Sequence, residues 1–473
     1  MRRVRCNTPT RRPFLRILTS IRQKPRRNVH VLHTSSLVRL ISQNSVGLFV
    51  GVDSFENAKS ESRMMRRFFV IWSAQASSII GSQLVQFALV WWLTIETGSA
   101  TVLAFATMMA LIPVIVVGPF VGPLVDRWNR RWVMIFSDAS IAAATMVIVL
   151  LFSLDIVDVW HIYVLMFVRG SGGAFHFPAM MASTSLMVTK KHLARVGGMN
   201  QALSGAVNIV APPIAALLIV LMPMYAILSI DVVTALIAIT PLLFLKIPQP
   251  VRRAEATEKL TVIDDMRAGF RFLRSWKGAG VLIVMVMIVN LVLTPTMSLT
   301  PLLITSHFGL GVEEFALFEA VEGLSLLLGG ISLGIWGGFK KKAVTMLFAG
   351  PMAGLGTMAV GLCPSDAFYI ALIGIFSAGF MIALVNGSAQ ALMQATIPPD
   401  MQGRVFSLVM SGSAAMAPIG LAVAGPVADA FGVPIWYVAA GVTLTVVMAC
   451  GFLIPSLLRM EDTVGWNASI EEL

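Results

Sequence analysis

The sequence predicts an all-α polytopic membrane protein whose twelve transmembrane helices form two six-helix parallel repeats. Three observations carry this expectation. Of the 473 residues, 57% are hydrophobic and 12% charged, against about 45–50% apolar and about 25% charged in a soluble domain. The mean hydropathy of +0.82 is more than one or two spans can supply, so apolar segments recur along the whole chain. A window of about 20 apolar residues, enough to cross a hydrocarbon core of about 30 Å, can be placed twelve times. These windows are continuously apolar rather than alternating, which selects helices over a barrel.

The first element is a basic leader, residues 1–63, holding 13 of the 35 Lys and Arg and 3 of the 24 Asp and Glu. It accounts for nearly all of the net charge of +11, so the rest of the chain has no basic face to receive nucleic acid. It contains no apolar run long enough to span a bilayer and no signal-peptide core. The expectation is a disordered segment, or one lying ahead of a true start at Met64 or Met65.

The spans follow at 68–93, 102–125, 132–152, 160–187, 199–220 and 225–246, then at 279–303, 314–338, 343–362, 367–394, 403–426 and 433–457. The loops between them sort by charge. Arg66 and Arg67 precede the first span, Arg127, Arg130 and Arg131 follow the second, and Lys190, Lys191 and Arg195 follow the fourth. Lys340, Lys341 and Lys342 follow the eighth, Arg404 the tenth and Arg459 the twelfth. The alternate loops hold Glu96, Asp155, Asp158, Glu313, Glu314, Asp366 and Asp429, with no Lys or Arg. By the positive-inside rule both termini are expected in the cytoplasm, with the chain multi-pass in the cell inner (plasma) membrane.

The longest loop, 247–278, divides the chain. Six-helix bundles are expected at 64–246 and 279–458, joined by this cytoplasmic linker and followed by a tail at 459–473. Within the linker, Thr261 to Trp276 reads as an amphipathic surface helix, with Asp264 and Asp265 early and cations late. The halves share an internal repeat. Gly118 and Gly122 recur as Gly330 and Gly334, and Arg195-Val196 recurs as Arg404-Val405 with Ser204 answering Ser413. The cysteines, Cys6, Cys363 and Cys450, have no metal or redox spacing, so no metal or cofactor is expected.

The run Gly122-Pro-Leu-Val-Asp126-Arg127-Trp-Asn-Arg130-Arg131 resembles motif A of the major facilitator superfamily, and Arg169-Gly-Ser-Gly-Gly-Ala-Phe-His-Phe-Pro178 resembles its motif B. Trp72 to Gln83, Gly329 to Lys340, Pro399 to Ser407 and Gly420 to Asp429 are similar to the macrolide-efflux-like branch of its drug exporters. The resemblance covers nearly all of residues 64–460. It implies a fold that acts as a single chain, with substrate between the two halves. It also implies a conformational latch on Gly118, Gly122, Asp126, Arg127, Arg130 and Arg131. Physically, Asp126 would accept backbone amides at a neighbouring helix N-terminus while Arg130 and Arg131 face it. The second half has Gly338 where the aspartate would stand, so the latch is expected on one side only.

Ionisable residues inside spans are expensive and mark function by default. Arg169, near the midplane of span four, is read as a proton-coupling residue. Asp138, two turns into span three, is a coupling candidate that reads better as a structural partner of the latch. Glu319 and Glu322, which share one helical face in span eight about 28 Å and about 24 Å above its inner end, are proton-coupling candidates, with Glu319 solvated at the outer boundary as the alternative. Asp231 is a further coupling candidate in span six. Gln75, Gln83 and Gln86 in the first span, with Asn208, Asn290, Asn386 and Gln390, are expected in a substrate cavity.

The sequence departs from many drug exporters in two places. Span one has no acid, and the antiporter glycine–proline pattern appears as Ala211-Pro212-Pro213-Ile-Ala-Ala216. No phosphate loop or HExxH constellation supports a pump or an enzyme. The expected function is export of an amphipathic small molecule in exchange for protons by alternating access. A facilitator or importer on the same fold is the alternative, and a non-transporting membrane sensor a more distant one.

Overall fold

The computed structural model describes residues 34–249, 277–397 and 399–461. They are almost wholly helical: α1 Thr34–Thr97, α2 Ala100–Arg127, α3 Arg130–Ser153, α4 Val159–Met187, α5 Lys190–Leu221, α6 Met224–Phe244, α7 Lys277–Leu302, α8 Val312–Trp336, α9 Lys342–Leu362, α10 Phe368–Thr396, α11 Pro399–Phe431, α12 Val433–Gly451 and the single turn α13 Pro455–Leu458. The chain divides into Met1–Ser62 and Arg63–Leu473. Helix α1 begins at Thr34, inside the segment expected to be a disordered leader or to lie ahead of the true start. The amphipathic helix expected in the linker and the tail beyond Glu461 lie outside the described residues.

Eleven of these helices carry a stretch long and apolar enough to cross a membrane. Helix α4 is the exception among the twelve expected spans. Its polar content, Arg169, His176 and the Gly-Ser-Gly-Gly run, lowers its hydropathy because it packs against protein along much of its length. The outward surfaces are apolar: Ile335 is 84% exposed and Phe244 79%, as suits side chains facing lipid.

Local chemistry sets the helix ends. Ser99 caps α2 by accepting the Val102 amide, and Asn129 caps α3 by accepting the Arg131 amide at 3.1 Å. At the end of α8, Gly337 and Gly338 both adopt left-handed backbone, with φ of 75° and 77°. A left-handed turn favours glycine, which explains why the second half has Gly338 where the first has Asp126.

The packing repeats as the sequence does. In the first bundle α2 packs on α4, α3 on α4 and α3 on α6; in the second α8 packs on α10, α9 on α10 and α9 on α12. Helices α1 and α7 also correspond, α1 bonding to α5 through Trp72 Nε1 and Asn200 Oδ1 at 2.7 Å, and α7 packing on α11. Across the interface α2 packs on α11 and α5 on α8. These pairs exchange when the two halves are swapped, the signature of a pseudo-two-fold axis between parallel repeats.

The two ends of the molecule differ. At the end bearing the acidic loops, one continuous hydrophobic core joins both bundles, from Leu89 and Leu103 to Leu303, Phe315 and Ala424. At the basic end the cores are separate, one within residues 64–247 and the others within 279–460. Among the described residues, the core shared by the two bundles lies at the acidic end.

Candidate functional site

Between the bundles lies a cavity of about 430 Å³ lined by α1, α2, α4, α5, α7 and α8. Its walls are mainly apolar, including Phe87, Val90, Met166, Val207, Met297 and Leu326, and its polar groups are few. This is the usual character of a small-molecule site. Gln83 and Gln86 of α1, Asn208 of α5, Thr107 of α2 and Ser298 of α7 supply hydrogen-bonding groups. The hydroxyls of Thr107 and Ser298 bond each other at 2.7 Å across the bundle interface.

Glu319 and Glu322 bring the cavity its charge. They are three residues apart on α8, so both project from one face, and each is part-exposed into the cavity. Among the described residues no ion-pair partner or hydrogen bond engages either carboxylate, and no Lys, Arg or His lines the cavity. One turn nearer the acidic end, Phe315 stacks on Phe87 with ring centroids 4.5 Å apart and on Trp91 at 5.8 Å. These rings place Glu319 beneath the seal. The alternative for Glu319, solvation at the outer boundary, is thus corrected: it shares the interior cavity with Glu322.

Arg169 lies outside this cavity, in the core of the first bundle. Its Nη1 donates to Asp231 Oδ2 of α6 at 2.5 Å and its Nη2 to the Ser82 carbonyl of α1 at 3.1 Å. Asp231 is 1% exposed and accepts further hydrogen bonds from Ser82 Oγ at 2.7 Å and Thr145 Oγ1 of α3 at 3.1 Å. The two ionisable residues that the sequence offered separately are one buried pair, with four helices supplying its bonds. Sequence reading missed Ser82 and Thr145, whose hydroxyls carry no signal in an apolar helix.

Asp138 is corrected in the same way. Instead of meeting the latch, its Oδ2 accepts from Gln75 Nε2 of α1 at 3.0 Å, and its Oδ1 lies 3.4 Å from His176 Nε2 of α4. Gln75, expected in the substrate cavity, is 3% exposed and spent on this contact. The Asn290 amide donates to Val286 O of its own helix, and Asn386 and Gln390 are exposed; none of these three lines the cavity.

At the basic end, the surroundings of Gly122 and the side chains of Asp126 and Arg127 lie outside what the structure describes. Gly118 has open space around it. Arg130 Nη1 donates to the Ala182 carbonyl of α4 at 2.9 Å, and Arg131 Nη2 to the Leu243 carbonyl of α6 at 2.5 Å. These charge-assisted bonds bind the start of α3 to the ends of two helices of its own bundle. At the acidic end Asp429 of α11 accepts from Ser99 Oγ and the backbone amides of Ala100 and Thr101, joining the bundles. The sequence marked Asp429 as a loop anion and gave no sign of this contact.

A sequence model of the Major Facilitator Superfamily matches residues 71–421. The chain is 34% identical over 383 residues to macrolide efflux protein A of Streptococcus pyogenes, covering 81% of this chain and 94% of that one. It is 33% identical over 324 residues to macrolide efflux protein A of Enterococcus faecalis, covering 68% of this chain and all of that one. The fold matches the crystal structure of a bacterial homolog of the human lysosomal transporter Spinster, in an inward-facing and unoccupied conformation, with a TM-score of 0.65 at 14% identity, over 85% of this chain and 98% of that one. Together with the twofold-repeated bundles and the cavity between them, these matches establish that the chain belongs to the major facilitator superfamily and is a membrane transporter of a small molecule.

Proposed function

We propose that this transporter exports an amphipathic drug of the macrolide kind across the plasma membrane, in exchange for protons. The carrying observation is the apolar cavity between the bundles with Glu319 and Glu322 in its wall and, among the described residues, no basic side chain lining it. Two carboxylates on one face of the helix, in an otherwise apolar wall, give the cavity groups that can exchange a proton for an approaching cationic substrate. The similarity to two macrolide efflux proteins supports both the substrate class and the direction.

In this reading the basic end faces the cytoplasm, by the distribution of Lys and Arg. The seal at the acidic end and the separate cores at the basic end then correspond to an inward-facing state. Residues 64–246 and 279–458 rock against each other as a monomer, tethered by 247–278. Arg169 and Asp231 keep the first bundle rigid during this motion, and the motif A residues, Gly118 and Gly122 with Asp126, Arg127, Arg130 and Arg131, hold the opposite state. Gln83, Gln86 and Asn208 orient the substrate.

The test is drug efflux from proteoliposomes under an imposed proton gradient, comparing the intact chain with Glu322→Gln and Glu319→Gln. Gradient-driven efflux lost in Glu322→Gln supports coupling at this site. Efflux that ignores the gradient in the intact chain supports the facilitator reading, which the absence of an acid in the first span, residues 68–93, favours.

A further inference from the structure

A second cavity, of about 830 Å³, opens on the side of the first bundle at the basic end, between α3 and α4. Its walls are aromatic. Trp132 and Phe136 of α3 pack with ring centroids 5.7 Å apart, and Trp128, just ahead of α3, stacks on Phe175 of α4 at 6.1 Å. Trp128, Trp132 and Phe136 remain 51%, 46% and 67% exposed, so packing within the bundle leaves these rings uncovered.

Small residues make the floor. Ser140 of α3 and Ser171 and Gly172 of α4 leave open a cleft that larger side chains would fill. A Cβ on Gly172 would lie 2.7 Å from Ile141 Cδ1, so the two helices meet closely beneath the groove. The hydroxyls are spent on their own helices: Ser140 Oγ donates to the Ser137 carbonyl and Ser171 Oγ to the Phe167 carbonyl, each at 2.8 Å. The lining runs along α3 from Asn129 to Ser140, about 16 Å at helical rise. That is the depth of one leaflet of a hydrocarbon core of about 30 Å.

The rim is positive and rich in donors. The Arg131 guanidinium lies 5.7 Å from the centre of the Trp132 ring. Its Nη2 donates to the Leu243 carbonyl, and its Nε and Nη1 have no hydrogen-bond partner among the described residues. The indole N–H groups of Trp128 and Trp132 likewise have none, and no carboxylate lines the groove among the described residues. A cationic amphiphile would set its charge beside the guanidinium, whereas a phosphate there gains charge-assisted hydrogen bonds. Within a bilayer an acyl chain gains little by exchanging other chains for apolar side chains, so the headgroup decides which lipid stays.

We propose that this groove binds an anionic phospholipid of the surrounding membrane, with one acyl chain between the aromatic walls and its phosphate on Arg131 and the two indole N–H groups. Every residue of the site belongs to the first bundle. Occupancy ties α3 to α4 and is independent of the substrate and of the direction of transport.

Native mass spectrometry of the full chain, titrated with dioleoylphosphatidylglycerol or dioleoylphosphatidylcholine, tests it, because the two lipids differ in the headgroup alone. We expect one phosphatidylglycerol to be held about fivefold or more tightly than phosphatidylcholine, the effect of one well-placed cation. Arg131→Ala should remove the preference and Arg131→Lys should keep part of it. Ser140→Phe, which fills the groove from an exposed position, should weaken retention of phosphatidylglycerol several-fold. Equal retention of the two lipids by the intact chain overturns the proposal. So does tight phosphatidylglycerol binding that survives either Arg131→Ala or Ser140→Phe, and Ser140→Phe preserves the test if Arg131→Ala does not fold.

Discussion

Asp429, near the end of α11, accepts a hydrogen bond at 2.6 Å from the backbone amide of Ala100, the first residue of α2 in the opposite bundle. The first amides of a helix have no partner within it and carry the positive end of its dipole. Ser99 Oγ and the Thr101 amide reach the same carboxylate, each at 3.1 Å. One acidic side chain thus supplies a helix cap across the bundle interface, at the end where the two hydrophobic cores merge. In the proposed alternating-access cycle this cap breaks.

Removing the charge should therefore ease opening at the acidic end. Asp429 is exposed, which screens its contribution, so Asp429→Asn should weaken the closed arrangement by about 0.5–1 kcal/mol. The open population should rise several-fold, read as a longer-distance component in electron–electron resonance between spin labels at Leu154 and Tyr369. Both residues are exposed at this end. An unchanged distance distribution would show that the apolar core alone holds the seal.

The Arg169–Asp231 pair makes a different prediction because Asp231 is 1% exposed. Arg169→Ala strands a buried carboxylate, which typically costs about 3–5 kcal/mol. The double variant Arg169→Ala with Asp231→Asn leaves no such charge and should recover much of the lost thermal stability in detergent. Equal melting temperatures for the single and double variants would remove the ion pair from the account of bundle rigidity.

Two glycines of the motif B run make a controlled comparison. A Cβ on Gly170 would lie 2.1 Å from the Ala110 carbonyl oxygen of α2, whereas one on Gly173 would meet nothing within 4 Å. Gly170→Ala should force α4 away from α2 and destabilise by about 1–3 kcal/mol, as overpacking does. Gly173→Ala should be neutral or slightly stabilising through helix propensity. Thermal unfolding of the two variants side by side checks both.

The fold was legible because its determinants are one-dimensional. A bilayer demands about 20 apolar residues per crossing, and the alternation of cations with acids gives the number of crossings without any knowledge of packing. The cavity acids were legible for a related reason, since a charge within a span announces itself. What the sequence hid is direction. In a helix apolar all round, hydropathy does not say which side faces a neighbour, so Gln75 and Gln83 read alike although one is bonded to Asp138 and the other lines the cavity. Pairing was hidden as well: Arg169 and Asp231 are 62 positions apart and meet only when α4 and α6 assemble.

The central claim is that the cavity carboxylates exchange protons for substrate. Its most direct test records proton movement and macrolide efflux together in proteoliposomes holding the intact chain or Glu322→Gln. The account predicts that substrate movement in one direction drives measurable proton movement in the other in the intact chain, and that Glu322→Gln abolishes the proton signal while substrate still binds. Macrolide efflux from the intact chain with no accompanying proton movement would contradict it.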